Sequence, residues 1–115
     1  MGKNLNMSLL MDFYGQLLTP KQIEALEYYY NDDLSLGEIA DEMGISRQGS
    51  RDFIKRGEKQ LVEFEQKLGL ASRFESIKNK VEQIDYIIKA LNVHSSHKES
   101  LTRLHKLVEE VIEEL

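Results

Sequence analysis

The stretch "SRQGSRDFIKRGEKQ", residues 46–60, carries five Lys or Arg side chains against two carboxylates. Arg47, Gln48, Arg51, Lys55, Arg56 and Lys59 are the residues here whose types and spacing could do chemistry. Guanidinium and ammonium groups bind anions, phosphate above all. Arg and Gln also offer paired hydrogen-bonding atoms that match the edges of guanine and adenine. On a helix, Gln48, Arg51, Lys55 and Lys59 lie on one face with Arg47 and Arg56 flanking it, while Phe53, Gly57 and Leu61 turn away. That arrangement points Arg47, Gln48 and Arg51 at bases or the nearest phosphates. Lys55, Arg56 and Lys59 suit backbone phosphates, which fix position without specifying sequence.

The positive charge is local. Residues 1–45 hold 2 basic and 8 acidic side chains, 46–60 hold 5 and 2, and 61–115 hold 8 and 10, for a formal net charge of −5. A chain that coats nucleic acid is basic as a whole, so any contact with nucleic acid belongs to this one segment. Roughly four or five phosphate contacts per copy give weak binding at physiological salt, and useful affinity for double-stranded DNA then calls for two copies.

The segment needs a corner before it and a cap at its start. Ser35 with Glu38 three residues on makes a capping box for a short helix that runs to about Met43. Gly44 follows, the residue that takes a left-handed conformation without steric cost, and Ser46 caps the next helix. Two helices joined by a tight Gly turn, the second one basic, form a helix-turn-helix. Ile39, Ala40 and Ile45 supply its small core, and the second helix enters the major groove with its N-terminal residues toward the bases.

The flanking elements are helical too. One Pro and no sustained period-two alternation predict an all-α chain. Leu5, Leu9, Phe13 and Leu17 recur at four-residue steps on a first helix. Thr19, Pro20 and Gln22 start a second, with Ile23, Leu26 and Tyr30 inward. The basic helix extends to Leu68, its apolar stripe formed by Phe53, Gly57, Leu61, Phe64 and Leu68, and Gly69 ends it. Phe74, Ile77, Val81, Ile84, Ile88 and Leu91 mark a fifth helix; Leu101, Leu104, Val108, Val111 and Leu115 mark a sixth, and the short polar connection predicts an antiparallel hairpin. The expected layout is one domain over 1–115: an N-terminal helix (1–18), a helix-turn-helix core (19–68) and a C-terminal helical hairpin (70–115). Apolar spacing on that hairpin suits pairing with a second copy, so a homodimer through the C-terminal helices is expected.

Other chemistry is not supported. The chain has no Cys, no G-x-x-x-x-G-K-[ST] loop and no H-E-x-x-H, so no enzyme, cofactor or metal site is expected. His94 and His97 have a ligand-like spacing, but they sit in a polar loop without a third ligand. His105 reads as an ordinary surface residue. Tyr28, Tyr29 and Tyr30 cannot share one helix face, which places Tyr30 in the core and argues against a stacking platform. No run of apolar residues is long enough to cross a membrane. The opening residues show no secretory leader pattern, and a cytoplasmic location is the expectation.

The motifs "LTPKQIEAL", "DLSLGEIADEMGISRQ" and the Arg that follows resemble region four of bacterial sigma factors. The set "MDFYGQLLTPKQ", "YYYNDDLSLGEIADEMGISRQG" and "IKRGEKQLVEFEQKLGL" resembles the YlxM family of small bacterial helix-turn-helix proteins more closely, over roughly the first 70 residues. The resemblance implies an all-helical fold, DNA binding, and a regulatory or accessory part in the signal recognition particle pathway. This chain departs from the sigma pattern at three positions: Gly49 has no side chain, Ser50 stands where an apolar residue packs, and Asp52 faces the phosphates with a carboxylate. Gly49 and Asp52, together with the acidity of the chain as a whole, favour an alternative, a protein- or RNA-binding accessory factor of the signal recognition particle that uses the same basic face.

Overall fold

Thr19 and Ser35 start their helices by the same device. Each side chain accepts a hydrogen bond from the backbone N–H three residues on, and the Gln22 or Glu38 side chain reaches back to the cap's own N–H. Ser46 does half of this, accepting from Gly49 N at 2.9 Å. Capping satisfies N–H groups that a helix start otherwise leaves unpaired, which is why these boundaries fall where the sequence predicts them. A computed structural model describes residues 5–93 and 96–115, and among these there are six α-helices and no strand. They are α1 (Leu5–Tyr14), α2 (Pro20–Tyr30), α3 (Leu36–Met43), α4 (Arg47–Leu68), α5 (Leu70–Asn92) and α6 (Lys98–Glu114). The chain is all-α, and the side chain of Leu5 and the whole of His94 lie outside the described set.

The chain divides into two compact units, Met1–Ala71 and Ser72–Leu115. In the first, α4 is the central element, packed against α1, α2 and α3. Its buried face is Ser50, Ile54, Gly57 and Leu61, at steps of three or four residues. Against it stand Tyr14, Leu18, Leu26 and Ile39, all buried. Gly57 is required by proximity: a Cβ there would lie 2.6 Å from Leu26 Cδ1, so α2 and α4 meet at this point through a missing side chain.

Two stripes are rotated from their expected centres. On α1 the buried residues are Met7, Leu10, Met11 and Tyr14, while Leu9 and Phe13 are only half-buried. The helix tightens to a 3-10 turn over Gly15–Leu17. Three residues per turn instead of 3.6 carries Leu17 off the apolar face, leaving it 59% exposed. On α4, Ile54 is in the core, Phe53 and Phe64 flank it, and Leu68 is exposed in the last turn.

The second unit holds α6 and most of α5. Ile88 is buried on α5, and Asp85 lies beside it on the same face. Leu101, His105, Val108 and Ile112 are the half-buried positions of α6. His105 is therefore not an ordinary surface residue. Its Nδ1 is hydrogen-bonded to Asp85, and its Nε2 lies 3.0 Å from Glu109 Oε1. Lys89 Nζ sits 3.2 Å from the other oxygen of Asp85. The hydrogen bond from His105, with Lys89 assisting, holds the Asp85 carboxyl below the usual carboxylate range against the opposing effect of desolvation.

Candidate nucleic-acid interface

Gly44 has φ 66° and ψ 36°, the left-handed conformation. Its N–H and that of Ile45 both donate to the carbonyl oxygen of Ala40, the latter at 3.0 Å. These bonds close α3 and reverse the chain within two residues, so that Ser46 can cap α4. Behind the corner, Ile39 and Ala40 are buried and Ile45 half-buried. This is the helix-turn-helix geometry, α3 followed by α4.

Two of the unusual residues on α4 have structural reasons. Gly49 supplies the N–H that Ser46 caps, and a Cβ at 49 would stand only 3.1 Å from Ser46 Oγ. Ser50 is completely buried, its hydroxyl 2.9 Å from Leu36 O and 3.0 Å from Arg47 O. A hydroxyl thus occupies an inward position without penalty, because it ties the start of α4 to the start of α3.

The six sequence-derived site residues, Arg47, Gln48, Arg51, Lys55, Arg56 and Lys59, are all exposed on α4. Arg51, Lys55 and Lys59 stand at four-residue steps and present a cationic row of about 6 Å spacing. Two local acids temper it. Gln48 Nε2 donates to Asp52 Oδ1 at 3.2 Å, and Lys55 Nζ lies 3.9 Å from Glu58 Oε1. The Lys55–Glu58 ion pair, exposed at its lysine end, contributes little and leaves Lys55 open to a competing anion. Glu58 is also the acceptor for the Tyr30 hydroxyl. Burial first, and then Glu58, pushes the Tyr30 hydroxyl far above its normal range, so it remains a donor at any ordinary pH.

Sequence reasoning missed the groove beside this row. Arg51, Lys55 and Lys59 edge a depression of about 740 Å³, floored by Leu36, Ile54 and Val62 and walled by Tyr29 and Tyr30. The three- and four-residue spacings Lys55/Glu58 and Gln48/Asp52 were visible as pairing signals; the groove depended on how α2 packs and was not. Among the described residues no cluster of His, Asp and Glu could hold a metal ion, and no helix is long and apolar enough to cross a membrane.

Comparison with known proteins agrees with this geometry. Residues 1–110 match the profile of the family UPF0122, described as "Putative helix-turn-helix protein, YlxM / p13 like". A UPF0122 protein of Acetivibrio thermocellus is 48% identical over 115 residues, covering 100% of this chain and 97% of the relative. One from Thermoanaerobacter sp. is 46% identical over 111 residues, covering 96% and 92%. One from Shouchella clausii is 44% identical over 105 residues, covering 91% and 96%. With an all-α fold, a Gly44 corner and matches that run nearly end to end, the chain belongs to the YlxM/p13-like family of helix-turn-helix proteins.

Proposed function

We propose that this protein is a non-enzymatic, cytoplasmic regulator that binds double-stranded DNA as a homodimer, α4 lying in the major groove. The observation that carries this reading is the exposure of Arg47, Gln48, Arg51, Lys55, Arg56 and Lys59 on one capped helix beyond a left-handed Gly corner. Arg47, Gln48 and Arg51 occupy the first turns, next to unpaired backbone N–H groups that favour phosphate. Lys55, Arg56 and Lys59 hold the backbone. Pairing is supplied by the C-terminal helices. Ile77, Ile84 and Leu91 are exposed on α5 at seven-residue steps, the spacing of a helix–helix seam. The test is selection from a random duplex library at physiological salt, followed by binding of the selected duplex to the Arg47→Ala/Arg51→Ala variant. Binding should disappear with the melting temperature unchanged; undiminished affinity refutes the assignment.

A second reading is favoured by Asp52, whose carboxylate engages Gln48 on the face that would meet DNA. In it the same basic face serves a protein or RNA component of the signal recognition particle pathway, the setting implied by the family resemblance. Recovery of targeting-pathway proteins that survives nuclease treatment would support it over the first.

A further inference from the structure

The groove along α4 joins an apolar floor to a cationic edge, and the same chain carries a helix of the opposite character. Arg51 and Lys59 make no ion pair among the described residues. Leu107 and Val111 on α6 and Leu115 just after its end recur at four-residue steps and are 56%, 43% and 39% exposed. Beside that row Glu110 and Glu114 also stand four apart, and neither is ion-paired among the described residues. Rows at four-residue steps on two helices form ridges that interdigitate, each step advancing about 6 Å. The groove also holds two carboxylates, Glu58, which is engaged by Tyr30 and Lys55, and Glu63; its cations at 51, 55 and 59 outnumber them and match carboxylates at 110 and 114 in charge and spacing.

We propose that the last two turns of α6 from one copy dock in the α4 groove of a second copy. Leu107, Val111 and Leu115 cover Leu36 and Val62 above the buried Ile54, and Glu110 and Glu114 oppose Arg51, Lys55 and Lys59. The pairing through α5 does not use this row. The docked carboxylates stand where phosphates would, so the acidic helix and a duplex exclude each other. That regulatory consequence rests on the DNA-binding reading; the docking itself does not.

The native chain has no Cys, which permits a direct test with the full chain. Differently tagged Val62→Cys and Val111→Cys copies are mixed and oxidised, with Tyr86→Cys replacing Val111→Cys as a control, since Tyr86 is exposed on α5. The expected result is a disulfide between copies that forms roughly tenfold faster than in the control, the equivalent of about 1.4 kcal/mol of preferred contact. Adding Glu110→Lys and Glu114→Lys to the Val111→Cys copy should abolish it. Adding Lys55→Glu and Lys59→Glu to the Val62→Cys copy should then restore it. Cross-linking no faster than the control overturns the proposal. So does a chain carrying both Val62→Cys and Val111→Cys that closes on itself as a monomer, which would make the occupant the chain's own helix. On wild-type background, Glu110→Lys/Glu114→Lys should tighten duplex binding. If the cross-link forms but no variant binds duplex at any salt, docking stands and the DNA-binding reading falls.

Discussion

The hydroxyl of Tyr14 donates to Glu65 Oε1 at 2.6 Å, joining α1 to the end of α4 across 51 residues. The same hydroxyl accepts from Leu70 N at 3.1 Å, and Glu65 Oε1 also accepts from Ala71 N at 3.0 Å. Gly69, at φ 64°, turns the chain between α4 and α5. Two side chains therefore cap the start of α5 from outside it, and no local motif announces this. Burial, and then the Glu65 carboxylate, raises the Tyr14 hydroxyl above its normal range, keeping it a donor.

Tyr14→Phe keeps the ring, which stacks on Phe64 at a centroid distance of 5.9 Å, and removes only the hydroxyl. Glu65 then loses a donor and Leu70 N loses its acceptor in a part-buried setting. Chemical denaturation should show a loss of about 1–3 kcal/mol. A loss below the error of the measurement would mean that water replaces the hydroxyl at no cost.

Gly57 tests the approach of α2 to α4. An exposed helical Gly gains stability on replacement by a larger residue, through helix propensity of about 1 kcal/mol. Here Leu26, fully buried, stands 2.6 Å from the position of a Cβ. Gly57→Leu should therefore destabilise by about 1–3 kcal/mol, as overpacking does. A gain in thermal stability would show that the two helices separate freely.

The elements that were legible in the sequence are those with local causes. Thr19, Ser35, Gly44, Ser46 and Gly69 each act on residues within one turn, and each boundary they predict is where the helix begins or ends. What was not legible depends on distant packing. Leu17 and Leu68 share the apolar period of their helices but point to solvent, because a 3-10 turn and a last helical turn extend past the core. Ser50 looked like a defect until Leu36 O provided its partner. His105 has a local signal only for Glu109, four residues on; its bond to Asp85, 20 residues away on another helix, has none. The cationic row itself was fully readable, its groove was not, for the floor is assembled from α3 and α4 and the wall from α2.

The Asp85 cluster makes the hairpin sensitive to acid. Asp85 has a depressed folded-state pKa, so its stabilising contribution is complete above the unfolded value of about 3.9 and is lost as pH falls through the lower folded value. His105, Lys89 and, through His105, Glu109 face it. Asp85→Asn should lower the melting temperature at pH 7, and the gap to wild type should close at pH values well below 4. A gap that persists unchanged at low pH would show that Asp85 acts by packing alone.

Salt dependence separates the two groups of cations on α4. If Lys55 and Lys59 hold only phosphates, Lys55→Ala/Lys59→Ala should weaken every duplex alike. It should also reduce the magnitude of the slope of log affinity against log salt by about 1.8, at about 0.9 per contact. At salt low enough to retain the binding that this variant loses at physiological salt, Arg47→Ala/Arg51→Ala should instead narrow the difference between a selected duplex and a random one, because bidentate base contacts contribute about 1–3 kcal/mol each to discrimination. Anisotropy titrations over a range of salt measure both quantities on the same variants. An equal change of slope with no change in discrimination for both pairs would reduce all four side chains to a uniform electrostatic patch, and α4 would then have no basis for reading sequence through Arg47 or Arg51.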